Sequence, residues 1–173
     1  MKRFVMRLVV VGLGSELMGD DAAGLKVIDA LSRRSYSGVD FKKCFSTGFE
    51  IMESIEGYDA AIIADTVITG KYKKGEIIRI EPEEIKYSKR IASFHDFDLL
   101  MSVELGKRLN LKMPEKIIIY GIEIEESKDF CEGISDEVAG AVESLTKIIS
   151  DDISRLRMLA GNYGEINGGI TNG

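Results

Sequence analysis

The sequence predicts an α/β fold: a three-layer sandwich with a mostly parallel, twisted sheet of about five strands and helices on both faces. Short β-rich runs alternate with segments of helical periodicity along nearly the whole chain. Two of those runs, Phe4 to Val11 and Tyr58 to Ala64, are almost continuously apolar, as strands covered on both faces must be. Each leads into turn or acidic residues, which places polar chemistry just beyond the carboxyl ends of buried strands. At 173 residues and 45% hydrophobic, the chain suffices for one domain with a full core.

The first strand, Phe4 to Val11, is followed by the turn Gly12-Leu13-Gly14. Asp20 and Asp21 are expected to cap a helix starting at Ala22-Ala23, where acids meet free N–H groups and the positive end of the dipole. In that helix Ala23, Val27, Ala30 and Leu31 recur at helical spacing, with Lys26, Asp29, Arg33 and Arg34 mostly opposite. Val39 to Phe45 reads as a more polar second strand, and Gly48 to Ile55 as a short helix. Tyr58 to Ala64 is the next buried strand and delivers Asp65 at its carboxyl end.

Gly75 to Ile80 follows too closely for a crossover helix, so an antiparallel edge strand is expected there. A helix over Asp96 to Leu109 should bury Phe97, Leu100, Met101, Leu105 and Leu109, with Ser93 or His95 as its N-cap. Pro114 introduces the strand Lys116 to Ile122. Ser135 starts the last helix, which buries Val138, Val142, Leu145 and Ile149 and continues toward Arg157. From Gly161 the chain is Gly/Asn-rich and unpatterned, as a disordered tail would be. Residues 1–155 thus form one domain, and 156–173 the end of the last helix and a flexible tail.

The net charge of −6 argues against nucleic acid as a partner, since phosphate contacts need clustered Lys and Arg. Short basic groups such as Lys71 to Lys74 and Lys86 to Arg90 are interrupted by acids and read as solvated surface. Two cysteines, Cys44 and Cys131, lie far apart without CxxC spacing, which fits small semi-buried residues in a reducing cytoplasm. No apolar run approaches a membrane span of about 20 residues. The basic, apolar start is short, contains Arg7 and lacks a small-x-small cleavage site, so it reads as a strand rather than a signal peptide.

His95 is the only histidine, so imidazole chemistry can occur at one place only. Together with Asp21 and Asp65, each at the carboxyl end of the sheet by this layout, it would make a two-carboxylate, one-imidazole set suited to a divalent transition metal. Taken singly, His95 also fits a helix cap or surface residue, and Asp21 fits a cap. Asp65 must be solvated or paired, because it follows a buried run.

Other motifs fail in informative ways. The third glycine of GxGxxG would fall at Leu17, and no GxxxxGK[ST] occurs, so dinucleotide and P-loop sites are disfavoured. A receiver domain of two-component signalling would also use an acidic pair and an Asp after the third strand. Here, however, the pair is separated from its strand, and Tyr120-Gly121-Ile122 stands where a lysine is needed. Neither cysteine nor any serine sits in a GxSxG-like nucleophile elbow.

The block Gly12-Leu-Gly14-Ser15-Glu-Leu-Met-Gly-Asp20-Asp21-Ala-Ala-Gly24 resembles the opening signature of the hydrogenase maturation endopeptidases. The resemblance continues through Ser46-Thr47-Gly48, Gly57-Tyr58-Asp59, Ala64-Asp65-Thr66-Val67, Ser93-Phe94-His95, Gly121-Ile122-Glu123 and Gly133-Ile134-Ser135. It covers about residues 5–150. Ser15 stands in place of the usual Asn, where a short hydrogen bond can still hold the loop, and Ala22-Ala23 replace a Gly-containing continuation.

The resemblance implies that Asp21, Asp65 and His95 are the metal-binding and catalytic positions. It implies a nickel-dependent endopeptidase acting on the precursor of a NiFe-hydrogenase large subunit; a cytoplasmic monomer is expected. Such an enzyme removes the C-terminal extension after nickel insertion, and the nickel is supplied by the substrate. The reading from another class is a metal-binding or receiver-like signalling module without peptidase activity.

Overall fold

The computed structural model describes residues 6–45, 49–80, 94–126 and 133–166, with the backbone alone at 94–98 and 161–166. Five strands form one sheet: β1 (Leu8–Leu13), β2 (Val39–Cys44), β3 (Ala60–Val67), β4 (Ile77–Ile80) and β5 (Lys116–Glu123). The helices are α1 (Ala23–Ser32), α2 (Phe49–Ile55), α3 (Phe94–Arg108) and α4 (Asp136–Ile166). A 3-10 turn, Gly19–Ala22, precedes α1.

The strand order is β2-β1-β3-β5-β4. β1 runs parallel to β2 and β3, β3 runs parallel to β5, and only β4 is antiparallel, against β5 at the edge. Alternation of side chains sends Leu8, Val10, Ile62, Ala64 and Ile118 to one face, where α1 and α4 cover them. Val9, Val11, Ile63, Val67 and Ile119 go to the other, under α2 and α3. The expected three-layer sandwich, mostly parallel sheet and antiparallel edge strand are all present.

The 68–76 connection from β3 to β4 must pass the end of β5, and Glu123 anchors it there. Its Oε1 accepts the N–H groups of Thr69 and Gly70, both at 2.8 Å, and its Oε2 accepts the Thr69 hydroxyl at 2.8 Å. The Gly75 N–H donates to the Glu123 carbonyl at 2.8 Å, so side chain and backbone hold the same loop. This buried carboxylate is satisfied by neutral donors at its mouth.

Several local expectations need correction. β3 extends through Val67, so Asp65 lies within the strand, opposite Gly121, rather than just beyond it. α3 begins at Phe94, which puts His95 inside its first turn; Ser93, the other expected N-cap, lies outside the described residues. Among the described side chains of α3, Leu99, Ser102 and Gly106 are buried, while Met101, Leu105 and Leu109 are exposed. Leu100 is half-buried against the core, and the side chain of Phe97 lies outside the described residues. α4 buries Val138, Val142, Leu145 and Ile149 as expected but stays helical to Ile166, past the expected start of the tail. Cys44 is buried in the core; Cys131, the Lys86–Arg90 group and residues 167–173 lie outside the described residues.

Candidate active site

The loop between β1 and α1 reaches the rim because glycines let backbone approach backbone. Gly14 adopts φ +142°, and a Cβ there would strike the carbonyl oxygen of Asp21. A Cβ on Gly24 would strike the carbonyl oxygens of Leu13 and Ala64, so the start of α1 lies directly against β1 and β3. Ser15 makes only a long, exposed contact in place of the expected short bond, its Oγ accepting the Leu17 N–H at 3.4 Å. The result places Asp20 and Asp21 beside the end of the central strand.

Neither acid caps α1. The N-cap is Ala22, with no side-chain cap bond, because the intervening 3-10 turn carries both carboxylates away from the free N–H groups of α1. They serve other partners. Asp21 Oδ1 accepts the hydroxyl of Thr66 at 2.8 Å. Asp65 Oδ1 accepts the Thr66 N–H at 2.8 Å. Thr66, only 3% exposed, therefore touches both acids, and Asp65 itself is 1% exposed. Two of the three expected site residues, Asp21 on the 3-10 turn and Asp65 within β3, thus both bond Thr66, one through its hydroxyl and the other through its N–H.

Asp20 turns the other way and ties three segments together. Its Oδ1 accepts the Ser135 N–H at 2.6 Å, its Oδ2 accepts the Ser135 hydroxyl at 3.1 Å, and Lys74 Nζ lies 2.8 Å from Oδ2. Burial alone would raise its pKa, but Lys74 and the Ser135 donors outweigh that and hold the carboxyl below its ordinary value. The acid loop, the 68–76 connection and the start of α4 are thus fastened at one carboxylate. Beside this clasp an open groove of about 370 Å³ is lined by Ile68, Gly70, Tyr72, Lys74, Ile124 and Glu125, among others.

His95 is placed by its backbone only. The segment following α3 contacts the amino end of β3: Lys112 Nζ meets Asp59 Oδ1 at 2.6 Å, and the Glu115 N–H donates to the Asp59 carbonyl at 3.1 Å. A helix of 15 residues spans roughly 22 Å, close to the roughly 26 Å of an eight-residue strand. The first turn of α3, and with it His95, therefore starts at the carboxyl end of the sheet. By alternation Asp65 also leaves β3 on the α2–α3 face, with Ile63 and Val67. Among the described residues no three His, Cys, Asp or Glu side chains gather as a metal cage.

Thr66 and Lys74 are contributors without an expected role, and Ser135, expected only to start the last helix, also holds Asp20. Thr66 and Ser135 fall inside the quoted family-like blocks, which was the available signal, whereas Lys74 sits in a group read as solvated surface.

Fold and rim together define an α/β protein whose polar chemistry gathers at the carboxyl ends of a parallel sheet, with carboxylates as the described donors. The family model for hydrogenase maturation protease matches residues 44–152. The chain belongs to the hydrogenase maturation protease family. It is 27% identical over 143 residues to the hydrogenase 2 maturation protease of Escherichia coli, covering 80% of this chain and 85% of that one.

Among solved structures, the hydrogenase maturating endopeptidase HybD of E. coli aligns with a TM-score of 0.75 and 23% identity, over 87% of this chain and 93% of that one. The NiFe hydrogenase maturation protease HybD of Thermococcus kodakarensis aligns with a TM-score of 0.68 and 29% identity, over 84% and 98%. No helix among the described residues is long and apolar enough to cross a membrane.

Proposed function

We propose that this protein is an endopeptidase that removes the C-terminal extension of a NiFe-hydrogenase large-subunit precursor after nickel insertion. Asp21, Asp65 and His95 engage the nickel that the substrate carries. The observation that carries this reading is that Thr66 bonds both acids, Asp21 from the β1–α1 connection and Asp65 within β3, near the carboxyl ends of the strands where ligands of α/β sheets gather. Family membership supplies the reaction class, peptide hydrolysis in hydrogenase maturation.

Hard carboxylate oxygens and one imidazole suit a divalent nickel that already holds thiolates from the substrate. An incomplete donor set binds free metal weakly and adds to a metal held by another chain, which lets the enzyme distinguish loaded from empty precursor. When bound, the nickel polarises the scissile carbonyl or activates water. The chain's own part is placement: β3 fixes Asp65, the glycine-packed loop fixes Asp21, and the groove beside Lys74 offers room for the substrate peptide. His95 ligates only as neutral imidazole, so cleavage should fall as the pH drops through the imidazole range.

The test is to incubate the protein with nickel-loaded and nickel-free precursor and follow tail loss by mass spectrometry. Cleavage of the loaded form alone supports the reading, and full processing by a His95→Ala variant would remove His95 from it. No cleavage, together with Mg²⁺-dependent phosphorylation of Asp65, would favour the signalling module instead.

A further inference from the structure

The two rim carboxylates share one neighbour that the family-like motifs contain without a role. Thr66 donates its hydroxyl to Asp21 Oδ1 and its backbone N–H to Asp65 Oδ1, each at 2.8 Å. We propose that Thr66 is the positioning residue that fixes how Asp21 is presented to the substrate-borne metal: the hydroxyl holds Oδ1 and directs Oδ2 outward as the ligating oxygen. This rests on the proposed function above.

The two contacts differ in what they require. The bond to Asp65 uses the backbone and survives any side chain except proline. The bond to Asp21 uses the hydroxyl, and only Thr or Ser at this position supplies it. Thr66 is itself held rigidly, since it lies in the sheet opposite Ile122 and is 3% exposed. A β-branched residue in a strand has few alternative χ1 states, so the hydroxyl direction is set by the backbone.

Asp21, by contrast, lies on a 3-10 turn and is only partly buried. Without Thr66 its carboxylate would rotate between staggered positions and would reach the metal in only a fraction of them. The hydroxyl is a neutral donor, so it orders the carboxylate without cancelling the charge a metal needs. A lysine at this place would order Asp21 equally well and would compete with the metal for it.

The arrangement separates orientation from affinity, which makes it testable by near-isosteric change. Thr66→Val keeps the branched shape and the N–H but removes the hydroxyl; Thr66→Ser keeps the hydroxyl and loses the methyl group. With nickel-loaded precursor, Thr66→Val should lower kcat by ~10- to 100-fold, the scale of a misplaced catalytic group, with KM within about threefold. Thr66→Ser should return to within about threefold of the parent.

A second measurement does not need turnover. In protein labelled with ¹³C at aspartate carboxyls, the Asp21 signal should shift or broaden in Thr66→Val and recover in Thr66→Ser, while Asp65 keeps its signal. If Thr66→Val does not fold, Thr66→Ala provides the same loss of hydroxyl. Parent-like kcat in a folded Thr66→Val variant, or a Thr66→Ser variant as impaired as Thr66→Val, would overturn the proposal. An unmoved Asp21 signal in Thr66→Val would overturn it as well. If the parent protein cleaves no precursor, the functional reading fails, and the carboxyl signals still decide whether Thr66 orders Asp21.

Discussion

The amino end of the sheet and the Asp21–Thr66 contact at its carboxyl end handle charge differently. At the amino end charges are matched: Asp59 pairs with Lys112 at 2.6 Å and also accepts the Arg7 N–H at 2.8 Å. Burial would raise the Asp59 pKa, but Lys112 and Arg7 hold it below its ordinary value. Tyr58 donates to Asp40 at 2.6 Å, with Arg7 and Lys42 each 4.9 Å from its ring centre. At the carboxyl end Asp21 meets a neutral hydroxyl and Asp65 the following N–H. Acids matched to cations close a structure. An acid ordered by a neutral donor, as Asp21 is, keeps its charge for a cation brought from outside.

Removing charge at each end should break the comparison most sharply. Asp65→Asn and Asp21→Asn should each lower cleavage of nickel-loaded precursor by about 100-fold or more if they engage the metal, above the roughly 10–100-fold that loss of an outer-shell partner costs, with the far-ultraviolet circular dichroism spectrum unchanged. Equal losses from Asp59→Asn would show that the ends do not differ. Next in size is the packing that carries the acid loop to the rim. Gly24→Ala places a methyl group against the carbonyls of Leu13 and Ala64, and should cost about 2–3 kcal/mol in denaturant unfolding.

The Asp20 clasp should give a smaller, pH-dependent effect. Its folded pKa lies below the ordinary 3.8, so its stabilisation is present above that value and is lost as the pH falls through the lowered folded value. Parent protein should exceed Asp20→Asn by about 1 kcal/mol at neutral pH, and the gap should close on acidification below 3.8. A gap independent of pH would mean that the clasp works by shape alone. Smallest of all, Asp59→Asn should change unfolding by about 1 kcal/mol or less and leave cleavage unaltered, since Lys112 is largely exposed.

The sheet was legible because continuous apolar runs have few other uses. Val9, Val11, Ile62 and Ile63 are fully buried, and burial on both faces is what their composition demands. α3 was less legible. It carries large apolar residues around much of its circumference, so a stripe drawn through Met101, Leu105 and Leu109 competes with the observed one through Leu99 and Ser102. Small residues lie on the observed face: Ser102 is buried, and Gly106 packs against the Met113 side chain. Hydrophobicity cannot report that.

At the site, Asp21 and Asp65 were legible as acids after buried runs, but their partners were not. Asp20 was expected to cap the helix beside it and instead holds Ser135, 115 positions away. The 3-10 turn that redirects it depends on Gly14 and Gly24 packing against other backbone, which local spacing does not encode. Thr66 contacts Asp21 across 45 positions, and only its place in a family-like block sets it apart from an ordinary strand threonine.

The most direct test of the central claim is nickel K-edge absorption on loaded precursor, frozen alone and immediately after mixing with this protein. Mixing should add oxygen or nitrogen neighbours to the nickel, fewer with Asp21→Asn or Asp65→Asn than with the parent protein. A nickel spectrum identical with and without the protein, while the tail is still removed, would contradict direct engagement of the metal by these carboxylates.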